Sequence, residues 1–174
     1  MVAASLRRAV LAAAAALGLL VPLLAADAAR AQAARPSGPW ATVNVCDTPD
    51  HPDAIGVRGS MPGTGDRADE LSMRIELQFM RRRDGRWMRV GRGGDSGVVD
   101  VGHGDARTRQ AGRTFTVAPP AEGRPAHLLR TLVTFEWRRD GELLRRTRRV
   151  TQGLRPPTPG ADPPGFSAAT CSIR

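Results

Sequence analysis

Ser96 and His51 lie in segments whose residue types could support nucleophilic catalysis. Ser96 lies in Gly94-Asp95-Ser96-Gly97, and His51 lies in Asp50-His51-Pro52-Asp53. A serine nucleophile needs a histidine as general base and an acidic residue that orients the imidazole. A glycine-rich hairpin loop with a turn aspartate would hold the same residue types around Ser96. We therefore expect a turn here, with a small secreted hydrolase that uses Ser96 as the alternative.

The Ser96 segment resembles two hydrolase patterns and departs from both. Gly94-Asp95-Ser96-Gly97 is similar to the nucleophile segment of trypsin-like serine proteases, but Val98 stands where that family has a second glycine. With Asp100 and His103, the segment also resembles the two ends of the GDS-type esterase pattern. Those ends lie far apart in the family, whereas Ser96 and His103 lie seven residues apart here. Both departures favour a turn over a catalytic site.

Asp100, His103 and Asp105 could form a small metal cluster in a region that the sequence predicts to be a flexible glycine-rich loop. A zinc site would need three or four rigidly held ligands. Calcium would prefer carbonyl oxygens and more carboxylates. We therefore expect a solvated loop, with a metal-dependent hydrolase as the alternative, and the sequence gives no reason to expect a cofactor.

The most unusual surface is a predicted hairpin rich in arginine. Its acidic residues are Asp140 and Glu142, and its arginines are Arg138, Arg139, Arg145, Arg146, Arg148 and Arg149. Guanidinium groups pair well with phosphate and carboxylate, so the hairpin could bind an anionic partner. Alternatively, these charges protect an edge strand from sheet-to-sheet aggregation. Sequence-specific nucleic-acid binding is not expected, because no known module and no tyrosine for base stacking occur.

Short strands must position these residues. Leu71 to Phe79 alternates apolar and polar residues, which predicts a strand with one face on the core and one in water. The Asp-Gly pairs at 84–85 and 140–141 predict tight hairpin turns. Seven to nine such strands, without a convincing helix, predict an all-β antiparallel sandwich of two sheets. The five prolines of 155–165 predict an extended crossing inside the domain.

The three tryptophans are expected to anchor the core or its rim. Trp137 shares the parity of Val133 and Phe135 along its strand, so its side chain should point inward. Trp40 is the one tryptophan expected to be exposed.

The first 33 residues have the pattern of a cleaved export signal. Arg7 and Arg8 precede an apolar run over 9–24, and Ala31-Gln32-Ala33 matches a cleavage site. We expect one mature domain, 34–174, without a transmembrane segment, at the cell envelope or in the medium. Its basic character, from a chain with formal net charge +9 and no lysine, suits anionic envelope polymers.

The chain has two cysteines, Cys46 and Cys171. In an exported chain the simplest prediction is that they form one disulfide. Two free thiols or an intermolecular pair are the alternatives. The bridge would close a loop of most of the domain, which stabilises a fold by restricting the unfolded chain.

Four segments carry a resemblance to known proteins: Cys46-Asp47-Thr48-Pro49, Gly56-Val57-Arg58-Gly59, Phe135-x-Trp137 before Asp140-Gly141, and the late Cys171. They resemble a group of uncharacterised exported actinobacterial proteins. The resemblance implies an immunoglobulin-like or fibronectin-type-III-like sandwich and brings no activity with it. We therefore expect a non-enzymatic interaction or structural module whose partner is an envelope or extracellular protein or an anionic polymer.

Overall fold

The structure, a computed structural model, describes residues 38–174. The predicted export signal, residues 1–33, lies outside the described residues. Every regular element in the described part is a strand, which confirms the all-β prediction. The nine strands are β1 (Trp40–Thr48), β2 (His51–Met61), β3 (Asp66–Arg81), β4 (Arg86–Arg89), β5 (Asp95–Gly104), β6 (Arg109–Thr116), β7 (His127–Arg139), β8 (Glu142–Val150) and β9 (Cys171–Ile173).

The strands form two antiparallel sheets, as the sequence predicts. The smaller sheet has the order β1-β2-β6. In the larger sheet, β3 and β7 pair at the centre, β4 and β5 both pair with β3, and β8 and β9 both pair with β7. The larger sheet therefore has four columns of strands, and β8 belongs to an outer column.

The core lies between the two sheets. Apolar and polar residues alternate along β3 and β7, and the apolar ones point into this core. Leu71, Met73, Ile75 and Leu77 are all at most 1 % exposed. Trp137 is also buried, as its parity predicts, and its indole N–H donates to the carbonyl of Pro62 at 3.0 Å. A polar group in the core is thereby satisfied, so the large ring can be buried without a lost hydrogen bond.

Trp40 corrects one expectation, because it is only 6 % exposed. By strand alternation it shares one face of β1 with Thr42, whose hydroxyl lies 2.7 Å from that of Ser167. Residues from the proline-rich end of the chain thus cover this face. The contact is between positions more than a hundred residues apart, so local sequence does not reveal it.

The predicted Asp-Gly turns are confirmed. Asp140 and Gly141 both have positive φ, 50° and 81°, and they join β7 to β8. Positive φ at both central residues gives the backbone twist that matches two antiparallel strands, and glycine adopts it without steric cost. The turn between β3 and β4 is longer, because Arg81 pairs with Arg86 and leaves four residues in the loop; there Gly85 has φ 66°. The arginine hairpin is therefore a β-hairpin with a tight turn and one register shift, between Trp137 and Arg138.

The proline-rich crossing runs along the edge of β1. Val43 and Ala168 exchange backbone hydrogen bonds at 2.9 and 3.0 Å, and Asp162 donates its N–H to the carbonyl of Asn44 at 2.8 Å. The amide of Asn44 also donates to Gly160 at 3.1 Å. These bonds satisfy edge groups of β1 that would otherwise be open to another strand. Residues 167–170 continue this crossing along β1, and β9 begins after them at Cys171.

Cys46 and Cys171 form the predicted disulfide, with Cα atoms 5.4 Å apart. Cys46 lies in β1 and Cys171 in β9, so the bridge connects the two sheets. β9 has three residues and pairs only with β7 among the described strands. The covalent link and the buried side chain of Ile173 both attach this short strand to the core.

We predict that Cys46→Ser lowers the free energy of unfolding by about 2–5 kcal/mol, because the bridge closes a long loop in the unfolded chain. The melting temperature in oxidising buffer should fall by several degrees. Wild-type protein under reducing conditions should melt near the variant. An unchanged melting temperature for Cys46→Ser would contradict a structural role for the bridge.

Candidate interaction surface

The predicted glycine-rich loop around Ser96 is in fact the start of β5. The Ser96 hydroxyl accepts the N–H of Ile75 at 2.9 Å and donates to the carbonyl of Gly97 at 2.8 Å. The register between β3 and β5 is irregular at this point, so a side-chain oxygen replaces a backbone acceptor. Ser96 therefore completes the sheet here.

Asp95 acts as the turn aspartate that the sequence indicates. One carboxylate oxygen accepts the N–H of Gly97 at 2.9 Å, and Arg74 binds the carboxylate through two guanidinium nitrogens. The Arg74 hydrogen bond holds the pKa of Asp95 below its usual value, and burial opposes the shift. Asp95 is engaged with Arg74, and it has no contact with a histidine among the described residues.

His51, the other half of the catalytic hypothesis, lies on β2 in the other sheet. Its Nδ1 is 2.9 Å from a carboxylate oxygen of Asp162, which also accepts the hydroxyl of Thr48. The Thr48 and His51 bonds lower the pKa of Asp162. This group attaches the proline-rich crossing to the β1–β2 turn. The structure thus places Ser96 and His51 in separate networks on different sheets.

Asp100 and His103 are strand residues of β5, which corrects the expectation of a flexible loop. Asp105 follows the strand and is bound by Arg109 at 2.8 Å. Asp100 accepts the N–H of Gly102 at 2.8 Å. Among residues 38–174 no group of three or more histidine, cysteine, aspartate or glutamate side chains is arranged to hold a metal ion.

A shallow cavity of about 490 Å³ lies on the outer face of the larger sheet. It brings Asp100 and His103 next to Ser72 of β3 and next to Glu136 and Arg138 of β7. The cavity is open to solvent and mixes both signs of charge. It connects the β5 region to the arginine hairpin across β3 and β7.

Half of the arginines in the hairpin are neutralised by carboxylates. Glu136 accepts Arg138 at 3.0 Å and Arg146 at 2.7 Å. Burial opposes ionisation of Glu136, but Arg146 and Arg138 together lower its pKa. Arg139 bonds to Asp69 at 2.7 Å and to Asp66 at 2.6 Å. These three arginines hold the hairpin to the sheet.

The other three arginines have no carboxylate within salt-bridge distance among the described residues: Arg145, Arg148 and Arg149. The guanidinium of Arg145 lies over the ring of Trp137, 4.8 Å from its centroid. This cation–π contact leaves the positive charge without a counter-ion. Positive charge is therefore concentrated on β8 rather than spread evenly over the hairpin.

β8 is exposed on both of its faces. Only Thr147 and Val150 are partly buried, and none of its residues is fully buried. β8 pairs with β7 and with no other described strand, so its second edge is open. The sequence-based suggestion that this strand forms an edge is confirmed. Its charges can both protect that edge and attract an anionic partner.

Leucine side chains are also exposed on and near this hairpin, and the sequence-based predictions did not include them. Leu143 and Leu144 in β8 are 41 % and 53 % exposed. Leu154, four residues after the strand, is 99 % exposed and has a positive φ of 57°. Adjacent leucines in a strand point to opposite faces, so at least one must face water, and this was the available signal.

No protein-family model and no curated protein matches the chain. Residues 38–174 contain no helix long and apolar enough to cross a membrane. The features of the described residues that point to a function are the exposed edge, the leucines and the arginines of β8.

We predict that Ser96→Ala lowers the free energy of unfolding by about 1–3 kcal/mol, because the buried N–H of Ile75 loses its acceptor. Chemical denaturation measures the change. Ser172→Ala, at an exposed position in β9, is the matched control and should be neutral. A hydrolytic activity of the wild type that disappears in Ser96→Ala without loss of stability would contradict a structural serine.

We also predict an acid-sensitive contribution from Asp69, which is 2 % exposed in β3. Hydrogen bonds from Thr64 and Arg139 lower its pKa below 3.8, and burial opposes the shift. The unfolded chain therefore binds its proton more readily, so the stabilisation is complete above pH 3.8 and is lost as the pH falls through the lower folded-state pKa.

Asp69→Asn should reduce stability at neutral pH and flatten its fall below pH 4, measured by denaturation across a pH series. Asp50→Asn, at an exposed turn, should leave the wild-type slope unchanged. If the stability of Asp69→Asn fell with pH as steeply as that of the wild type, Asp69 would not contribute to the acid sensitivity.

Proposed function

We propose that this chain is a non-enzymatic interaction module that acts outside the cytoplasm, at the cell envelope or in the medium, and binds an anionic partner through β8. The observation that carries the proposal is the exposure of β8 on both faces together with Arg145, Arg148 and Arg149, which no described carboxylate neutralises. The partner is an envelope or extracellular protein with acidic groups, or an anionic polymer.

Action outside the cytoplasm is supported by the bridge between Cys46 and Cys171. Disulfides persist in oxidising compartments, and thiols in the cytosol are kept reduced. The charge pattern and the signal-like residues 1–33 are in accord with export.

A binding role is supported by how the polar groups are used. Ser96, Asp95 and Asp162, which could serve a hydrolase, are each bonded to the backbone or to side chains that hold the fold together. The arginines of β8 show the opposite pattern, because half of the hairpin's guanidinium groups face solvent without a counter-charge. Arginine without an internal partner is available to carboxylate or phosphate groups of another molecule.

A capture experiment tests the proposal. The protein is immobilised and exposed to envelope and culture-medium fractions of its source, and bound material is compared between two variants of equal charge change. The test variant carries Gln at Arg145, Arg148 and Arg149. The control carries Gln at three exposed arginines outside the hairpin, Arg83, Arg92 and Arg124.

We expect a defined component to bind the wild type and the control and to be lost from the hairpin variant. Binding should weaken with added salt, because part of it is electrostatic. Equal capture by both variants would contradict β8 as the binding surface. A reaction catalysed by the purified protein on ester, peptide or polymer substrates would contradict the non-enzymatic role.

A further inference from the structure

The open edge of β8 presents backbone groups in the pattern that another strand requires. Thr151 donates its N–H to the carbonyl of Thr131, the residue opposite it, at 3.0 Å. In an antiparallel ladder such bonded pairs alternate with pairs whose N–H and C=O groups point away from each other. The continuous register from Val150 to Arg145 therefore directs the backbone groups of Arg148 and Arg146 to the open edge.

The side chain of Arg149 confirms this direction. Its guanidinium donates to the carbonyl of Arg148 at 3.0 Å, which is possible because that carbonyl faces away from β7. The contact is exposed and involves a long, flexible side chain, so an incoming backbone N–H could replace it. Among the edge groups of β8, the side chain of Arg149 thus covers the carbonyl of Arg148, and this exposed contact leaves that carbonyl within reach of a competing donor.

Two of the other sheet edges, those of β1 and β5, are less suited to accept a strand. The proline-rich crossing occupies the edge of β1 through its bonds to Val43 and Asn44. β5 pairs with β3 in an interrupted register, and Gly97 and Gly102 have φ of 67° and 98° within it. Such irregularities disrupt an edge ladder. β8 keeps a regular register over six consecutive residues.

The side chains of β8 define what the incoming strand must carry. Its positive charges lie on both faces, with Arg148 opposite Thr134 on the outer face and Arg149 opposite Val133 on the inner face. A strand with glutamate or aspartate would complement these charges across the pair. Leu143 and Leu144 add an exposed apolar contact near the turn, which a phosphate polymer would not use.

A membrane surface fits the hairpin less well. The turn at its tip carries Asp140 and Glu142, which would meet an anionic bilayer before the leucines do. A second copy of this chain that paired β8 with β8 would bring arginines against arginines. Charge complementarity therefore selects an acidic protein segment.

Building on the function proposed above, we propose that an extended, acidic peptide segment of the partner adds to the open edge of β8 as a new outer strand of the larger sheet. Backbone bonds to Arg146 and Arg148 would supply the pairing. Carboxylates would meet Arg145, Arg148 and Arg149, and an apolar residue would cover Leu143 and Leu144.

Two substitutions at one position separate strand addition from simple charge attraction. Arg148→Pro removes the N–H that points to the open edge and leaves the bonds to β7 intact, since this residue does not bond to β7. Arg148→Gln removes the same charge and keeps the N–H. Thermal unfolding of both variants verifies that each is folded.

The probe is a short synthetic peptide in which glutamate alternates with valine and one end carries leucine, and affinity is measured by fluorescence anisotropy. We expect Arg148→Gln to weaken binding slightly. Arg148→Pro should weaken it by about a further tenfold, because one well-placed hydrogen bond in an interface contributes about that much to affinity. The same peptide with methylated edge amides should bind the wild type more weakly than the normal peptide does, because it cannot donate to the carbonyls of Arg146 and Arg148.

Equal binding of the two Arg148 variants, or full binding of the methylated peptide, would overturn strand addition. If the variant with Gln at Arg145, Arg148 and Arg149 still lost the captured partner, the proposed function would survive that result. Tighter binding of polyphosphate or of phosphatidylglycerol vesicles than of the peptide would overturn the peptide assignment in favour of a polymer or a membrane.

Discussion

The uninterrupted pairing of β3 with β7 is the constraint on which the rest of the structure depends. Eleven consecutive pairs, from Asp69–Arg139 to Phe79–Leu129, fix which side chains point into the core and which face water. The next strands on either side take their register from this pair, and the smaller sheet packs on the face that carries the apolar residues. β8 extends from β7 at the outside of this arrangement, so its exposure follows from its place in the sheet.

Charge is distributed according to the same register. Glu136 and Asp69 project from the central pair on opposite faces and neutralise the arginines nearest to them. Arg148 and Arg149, farther along β8, lie opposite Thr134 and Val133, which carry no charge. One hairpin therefore combines a part that is fastened to the sheet with a part that is available to a partner.

The all-β class and the Asp-Gly turns could be predicted because both depend on local residue types. The disulfide could be predicted because the chain has two cysteines. The full length of β5, from Asp95 to Gly104, could not be predicted, since glycines at this density are typical of loops and only the pairing with β3 orders them. The burial of Trp40 depends on a distant crossing. The pairing of Glu136 with Arg138 could have been predicted, because residues two apart in a strand lie on the same face and carry opposite charges here.

Backbone amide hydrogen exchange, measured residue by residue with and without the bound partner segment, tests the central claim most directly. In the free protein, the amides of Arg146 and Arg148 should exchange rapidly, because they face solvent at an open edge, whereas those of Arg145 and Thr147 should be protected by β7. Binding should slow exchange at Arg146 and Arg148. If binding slowed amide exchange only in β5 or around the outer-face cavity, with no change in β8, strand addition to β8 would be contradicted.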